Sequence, residues 1–461
     1  MKTLKYRMIF WAAISAMLLN ACIHGYYFPE EMDNLSVFVE ELEFEAGGET
    51  QFVEVSTNAK SWTAGTKDTW IKINLEENKF SVKVDNHSDA KQDRIGIITV
   101  KAGEATPATI TVTQLATAFY VDREVVKLQS ASAGKGVNIV LMGDGYTAND
   151  MRKRSGKYEQ DMREAVDHFF SVQPFIRYRD HFNVYMVAAI SNREGVSVKA
   201  TGKNVDTKFS AIWDGGNSTK LDCNKELVFK YVDAISELSE THYHDLTIIL
   251  PINADIYAGT CWMYYPDNYT GNGTGASIAL CPVSRNYKGK IEGDFRSIVL
   301  HEAAGHGFAK LADEYIVYST TIPLTEKNLA VTQKTAYDWW ENVDFYSNIK
   351  NTSWSGFAGK AKYHMTSVYE GADYYAKGIW RAEQNSCMND NVAYFNAPSR
   401  WAQVKRIKKL AWMNYSFEQF LQEDVVPEYP KGTQTKNMED FVPLASPVFV
   451  QNLPEKLKVE N

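Results

Sequence analysis

The stretch HEAAGHGFAKLADEY, from His301 to Tyr315, constrains this chain more than any other. An H-E-x-x-H arrangement sets two imidazoles four residues apart, about one helical turn, so that both face one metal ion. Here His301 and His306 are five apart. At about 100° per residue, five steps along a regular helix leave the two rings roughly 140° apart. A π turn, closing i→i+5, takes up one extra residue and returns both to one face. Ala303, Ala304 and Gly305 are small enough to permit it. The expectation is a buried helix, led by Ile298, Val299 and Leu300, with a single π-bulge between its histidines.

Two imidazoles favour zinc over calcium, and a catalytic zinc needs a third protein ligand beside an open position. Asp313, seven residues beyond His306, is the first candidate and Glu314 the alternative, provided that Gly307 ends the helix and the chain swings back. The carboxylate that is not a ligand would orient an imidazole or shape the turn. Glu302 projects beside the metal as a general base, taking a proton from the attacking water and passing it to the leaving amine. Tyr394 is a candidate oxyanion stabiliser. His242, His244 and His364 are further candidate ligands without matching local spacing.

At 461 residues the chain has room for two to four domains, or for one large catalytic unit with an added module. A net charge of −8 argues against a nucleic-acid partner. Residues 1–22 read as an export signal: Lys2, Lys5 and Arg7 precede the apolar MIFWAAISAMLL, which is too short to span a membrane. LNAC, ending at Cys22, resembles a bacterial lipobox, which implies acylation of that cysteine and attachment to the membrane through an N-terminal lipid anchor only. Cys223, Cys261, Cys281 and Cys387 remain, an even number that permits disulfides without assigning them.

Residues 23–36 read as a linker. From 37 to 117 short alternating runs such as FVEVSTNA, KFSVKVDNH and TITVTQL describe an all-β, Ig-like sandwich. From 118 to 426 the pattern is α/β. Strands VVKLQ, VNIVL, HFNVYMVAAIS and DLTIILPINA alternate with helices expected over NDMRKRSGKYEQDMREAVDHFFSV and KELVFKYVDAISELSE. GDGYT, Gly143–Thr147, reads as a strand–turn–helix junction rather than a phosphate loop. An edge strand ahead of the metal helix would hold an extended peptide. WAQVKRIKKLAWMNYSFEQFLQE reads as a closing helix, and 427–461 as a C-terminal extension.

Two resemblances add to this. SWTAGTKDTWIKI, DNHSDAKQDRIGIITV and ITVTQ resemble the BACON domain, an Ig-like module associated with carbohydrate binding, which implies glycan contact through the β module; a plain spacer is the other reading. His301, Glu302, His306, Asp313, Glu314 and Tyr315 match in order the motif of the IgA-peptidase family of zinc metallopeptidases, and the likeness runs from Gly143 to about Trp412. It implies a metzincin-like fold, one catalytic Zn²⁺ and protein or glycoprotein substrates. It also implies a downstream Ser-x-Met turn, in which Met388 supplies a hydrophobic floor beneath the ligands. The family's usual spacing lacks the extra residue, and Ala309 stands where the metzincin pattern has glycine. The expected function is that of an exported zinc endopeptidase. A glycan- or protein-binding surface lipoprotein with a vestigial metal site, and a zinc hydrolase of a non-peptide bond, are the alternatives.

Overall fold

The computed structural model describes residues 32–87, 92–116, 118–238, 243–266, 275–285, 293–429 and 442–451. Cys22, the export segment and His242 lie outside them. The architecture is mixed α/β, and the chain divides into two compact units, Met1–Thr117 and Ala118–Asn461.

In the first unit, eight strands form two four-stranded sheets. Strict alternation along Arg94–Ala102 and Ala108–Gln114 sends every second side chain inward. Phe44, Phe80, Val82, Ile98, Val100 and Val112 from both sheets share one core. Trp70 lies beside that core rather than inside it, with the Arg94 guanidinium 4.3 Å from its ring centre.

The second unit is built on a seven-stranded mixed sheet. Its order is Val448–Val450, Thr260–Tyr264, Ser277–Pro282, Thr247–Ile252, Val137–Leu141, Phe182–Val187 and Val125–Gln129. The central strands read as unbroken apolar runs because both faces are covered. Ile139, Leu141, Ile249 and Ala279 face a core shared with the metal helix, whereas Val140, Ile248, Leu250 and Ile278 face one shared with the helix Lys225–Val232. The GDGYT turn serves this packing. Asp144 accepts hydrogen bonds from Phe209 N, Ala211 N and Thr207 Oγ1, while Gly145, at φ +78°, lets Gly195 approach where a Cβ would clash.

Helices are shorter than periodicity alone indicates. The first runs from Lys157 to Phe169 rather than from Asn149, because the backbone folds tightly at Gly156; a Cβ there would meet Arg152 O and Asp150 O at 2.4 Å. The second stops at Val232, where i→i+3 bonds from Ala234 and Ile235 tighten the chain. The closing helix is two, Ala397–Leu410 and Phe417–Glu423, separated at Trp412, which has a positive φ, and restarted by the Ser416 capping box. All four described cysteines are free, buried thiols, so Cys261 and Cys281 form no disulfide.

Candidate metal centre

Asp294 caps the N-terminus of the metal helix by accepting from Ser297 N, and the first turn, Phe295–Ile298, is α-helical. From Val299 to Phe308 the helix is π throughout, so the single bulge expected from the spacing is instead a continuous ten-residue segment. Its i→i+5 closure persists to the end, where Ala309 N donates to Ala304 O at 3.2 Å. The consequence for the histidines is direct. Their ring centres lie 4.8 Å apart on one side of the helix.

The turn after the helix differs from the expectation built on Gly307. The helix passes through Gly307 and ends at Phe308; Ala309 keeps a right-handed conformation, φ −84°, so no glycine is needed there. The left-handed step falls on Lys310, at φ +56°. It returns the chain so that Leu311 O meets His306 Nδ1 at 2.7 Å and Asp313 reaches both imidazoles.

Because a carbonyl only accepts, each Nδ1 here is the donor: His306 donates to Leu311 O, and His301 to Cys387 O at 3.2 Å. Both Nε2 atoms are then turned inward. They point at the same carboxylate oxygen, Asp313 Oδ1, at 3.0 Å from His301 and 3.2 Å from His306. The His306 Nε2 contact falls outside hydrogen-bond geometry, and among the described residues neither this atom nor the Glu302 carboxylate oxygens, all buried, has a well-formed partner, although the Cys261 backbone lies close to Glu302. Two imidazole nitrogens and a carboxylate oxygen converging in a dry site need a proton or a metal cation between them, so this donor set fits a divalent metal. His301, His306 and Asp313 are the group suited to a metal among the described residues, with ligand atoms within 4.8 Å of one another.

Glu314 is engaged elsewhere. Asn342 and Asn396 donate to its Oε1 and Ser386 to its Oε2, which ties the ligand turn to the Ser386–Met388 segment. Met388 lies against the helix, and an added Cβ at Gly305 would sit 2.3 Å from its Sδ. Gly305→Ala is therefore expected to destabilise the protein by about 1–3 kcal/mol through overpacking, despite alanine's better helix propensity. Denaturant unfolding checks this, and an unchanged midpoint would count against the close contact.

Tyr394 is not brought to the cluster; its hydroxyl donates to Glu383 Oε2 at 2.8 Å. The phenol at the cluster is Tyr374, which donates to Asp313 Oδ2 at 2.9 Å and also meets the Tyr315 hydroxyl. His244 and His364 do not join the cluster either. Sequence reasoning missed Tyr374, 61 residues from Asp313, and Gly259, where a Cβ would lie 2.7 Å from Glu302 Oε1. A glycine directly before a strand was the one available hint.

Burial shapes the charges. It pushes the Glu302 carboxyl up to about 8 and that of Glu314 up to about 7, the latter against three hydrogen bonds. For His306 burial opposes the charge, but Asp313 outweighs it and raises the imidazole to about 9. All three groups hold protons in the folded, metal-free chain that the unfolded chain has released. Stability from these groups therefore falls as pH rises from about 5 to 8. His301, lowered by burial, works in the opposite direction. The expected result is a lower Tm at pH 8 than at pH 5.5 in the presence of a chelator. A Tm that rises over this window would contradict the assignment.

A family model described as IgA Peptidase M64 matches residues 126–362, a little over half of the chain. No curated protein matches the chain. Among solved structures, an NMR structure of a protein from Bacteroides thetaiotaomicron is 19% identical and covers 20% of this chain and 96% of its own, with a TM-score of 0.16. A Bacteroides ovatus GH5 xyloglucanase in complex with a XXXG heptasaccharide is 17% identical, covering 48% of this chain and 45% of its own, with a TM-score of 0.20. Domains 5–6 of the S-layer protein SbsC are 13% identical, covering 22% of this chain and 53% of their own, with a TM-score of 0.15. The match thus spans about half of each of the latter two structures, and likenesses this slight establish neither a fold nor an activity.

Proposed function

The chain belongs to the IgA peptidase M64 family, and on that premise we propose that it is an exported, zinc-dependent endopeptidase acting on proteins or glycoproteins. The observation that carries this reading is the convergence of two imidazole nitrogens and one carboxylate oxygen beside the buried Glu302 carboxyl. In this reading His301, His306 and Asp313 hold the ion, with Glu314 bracing the ligand turn rather than serving as a ligand. Zinc bound there supplies Lewis acidity, polarising a scissile carbonyl and acidifying a water.

The remaining chemistry falls to the chain's own side chains. Cys387 O and Leu311 O hold the imidazoles in one tautomer, and Tyr374 steadies the second oxygen of Asp313. Glu302 accepts a proton from the attacking water and returns it to the leaving amine. Burial raises that carboxyl to about 8 in the metal-free chain, which favours the protonated form from which it returns the proton. Met388 backs the helix at Gly305.

The first unit is proposed to be an Ig-like, BACON-type module, serving glycan contact or as a spacer, with 118–426 as a metzincin-like catalytic domain. Lipidation at Cys22 would anchor the protein in the outer membrane or at the cell surface; otherwise it is periplasmic or secreted. Metal analysis of protein lacking residues 1–22, paired with cleavage of a peptide library, tests the reading. About one zinc per chain with library cleavage supports it. Zinc without peptide cleavage favours a hydrolase of another bond, and no zinc favours a binding lipoprotein.

A further inference from the structure

The strand Thr260–Tyr264 would end the large sheet but for residues 448–450. Val448, Phe449 and Val450 pair with it in parallel, opposite Trp262, Met263 and Tyr264, and Tyr265 N donates to Val450 O at 3.0 Å. The edge that the sequence pattern offers to an extended peptide is therefore filled by the chain itself. Upstream, the same segment runs past the metal centre. Tyr257 OH donates to Val442 O at 2.9 Å, Thr219 Oγ1 to Pro443 O at 3.0 Å and Tyr315 OH to Leu444 O at 2.8 Å, and the Ser446 side chain reaches the Tyr374 phenol.

These contacts bracket the cluster. Tyr257 is two residues before Gly259, which touches Glu302; Tyr315 and Tyr374 adjoin Asp313. Side-chain donors take the segment's carbonyls, a strand edge takes its backbone, and apolar sockets take Leu444 and Phe449. Leu444 is buried, and the Phe449 ring lies 5.7 Å from that of Trp340 and 6.1 Å from those of Trp339 and Tyr265. Backbone pairing combined with alternate side-chain sockets is how an extended peptide is recognised. His301, Glu302, His306 and Asp313 are each at most 1% exposed with the segment seated.

We propose that this groove is a binding site for an extended peptide bearing branched and aromatic apolar side chains, and that residues 442–450 occupy it as an intramolecular ligand that excludes external peptides until displaced. The inference rests on the peptidase reading for its consequence but not for its binding site. The test uses the full chain with a cleavage sequence for a specific protease inserted between Gln434 and Thr435, in parental and Glu302→Gln forms. Once the chain is nicked, a fluorescent peptide of sequence VPLASPVFV is expected to enter the Glu302→Gln protein saturably, at least tenfold more tightly than before nicking. The nicked parental form should gain at least tenfold in kcat/KM on external peptides, and excess unlabelled VPLASPVFV should reverse the gain. In the uncut chain, Phe449→Ala should raise activity severalfold by loosening the anchor. Failure of the peptide to enter a fully nicked chain, or parental activity in Phe449→Ala, would overturn the proposal. Entry without hydrolysis by the parental form would sink the peptidase reading and leave this one standing; hydrolysis without entry would sink only this one.

Discussion

Replacing His306 by alanine is expected to weaken zinc binding by at least about 100-fold, or about 2.7 kcal/mol, since loss of even an outer partner of a ligand costs 10–100-fold. Two observations set this expectation. The Nε2 of His306 is buried, and it faces the carboxylate oxygen that also faces His301. Alanine leaves one imidazole and one carboxylate, too few to hold the ion. It also leaves Leu311 O without its donor, a loss of about 1–3 kcal/mol from the turn that returns Asp313. Zinc should therefore raise the Tm of the parental protein and leave that of the variant unchanged. Metal analysis after dialysis, with circular dichroism to confirm folding, decides the matter. A folded variant that keeps one zinc would show that the ion sits elsewhere.

Glu302→Gln should have the larger effect on turnover. Glutamine keeps the shape of the side chain and its fit against Gly259 but cannot carry a proton between water and amine. General-base loss lowers rates by about 10²–10⁴-fold, so kcat should fall by that factor, a rise of roughly 3–5 kcal/mol in barrier, while KM and zinc content stay near parental values. The variant should also lose part of the pH dependence of metal-free stability, because a carboxyl raised to about 8 is removed. Activity within a few-fold of parental would exclude Glu302 as the proton carrier. Loss of zinc would instead place it among the ligands.

The local pattern carried a good deal of this. HEAAGHGFAKLADEY named the three clustered residues and the neighbouring carboxylate, and its extra residue called for π geometry. The length of that π segment was not legible, because the distortion depends on what packs around the helix. Ser277 Oγ donates to Gly307 O from the sheet below, and Met388 presses on Gly305 from the other chain segment. Likewise, which of Asp313 and Glu314 meets the imidazoles could not be read from adjacent acidic letters. It turned on Asn342, Ser386 and Asn396, which engage Glu314 from two later stretches of chain. Tyr394 and Tyr374 illustrate the same limit: both are tyrosines downstream of the motif, and only the fold directs Tyr374 to Asp313 and Tyr394 to Glu383.

What the amino-acid sequence determined by itself is what short-range chemistry determines: alternation that builds β layers, apolar runs that build a covered sheet, and residue types at one spacing that can share a cation. Tertiary structure decided which groups converge and which are spent on holding others in place. It also decided that residues 448–450 would close an open strand edge almost two hundred residues upstream of them. Spacing acts through one turn of backbone, whereas hydrogen bonds and burial join segments without regard to their separation along the chain.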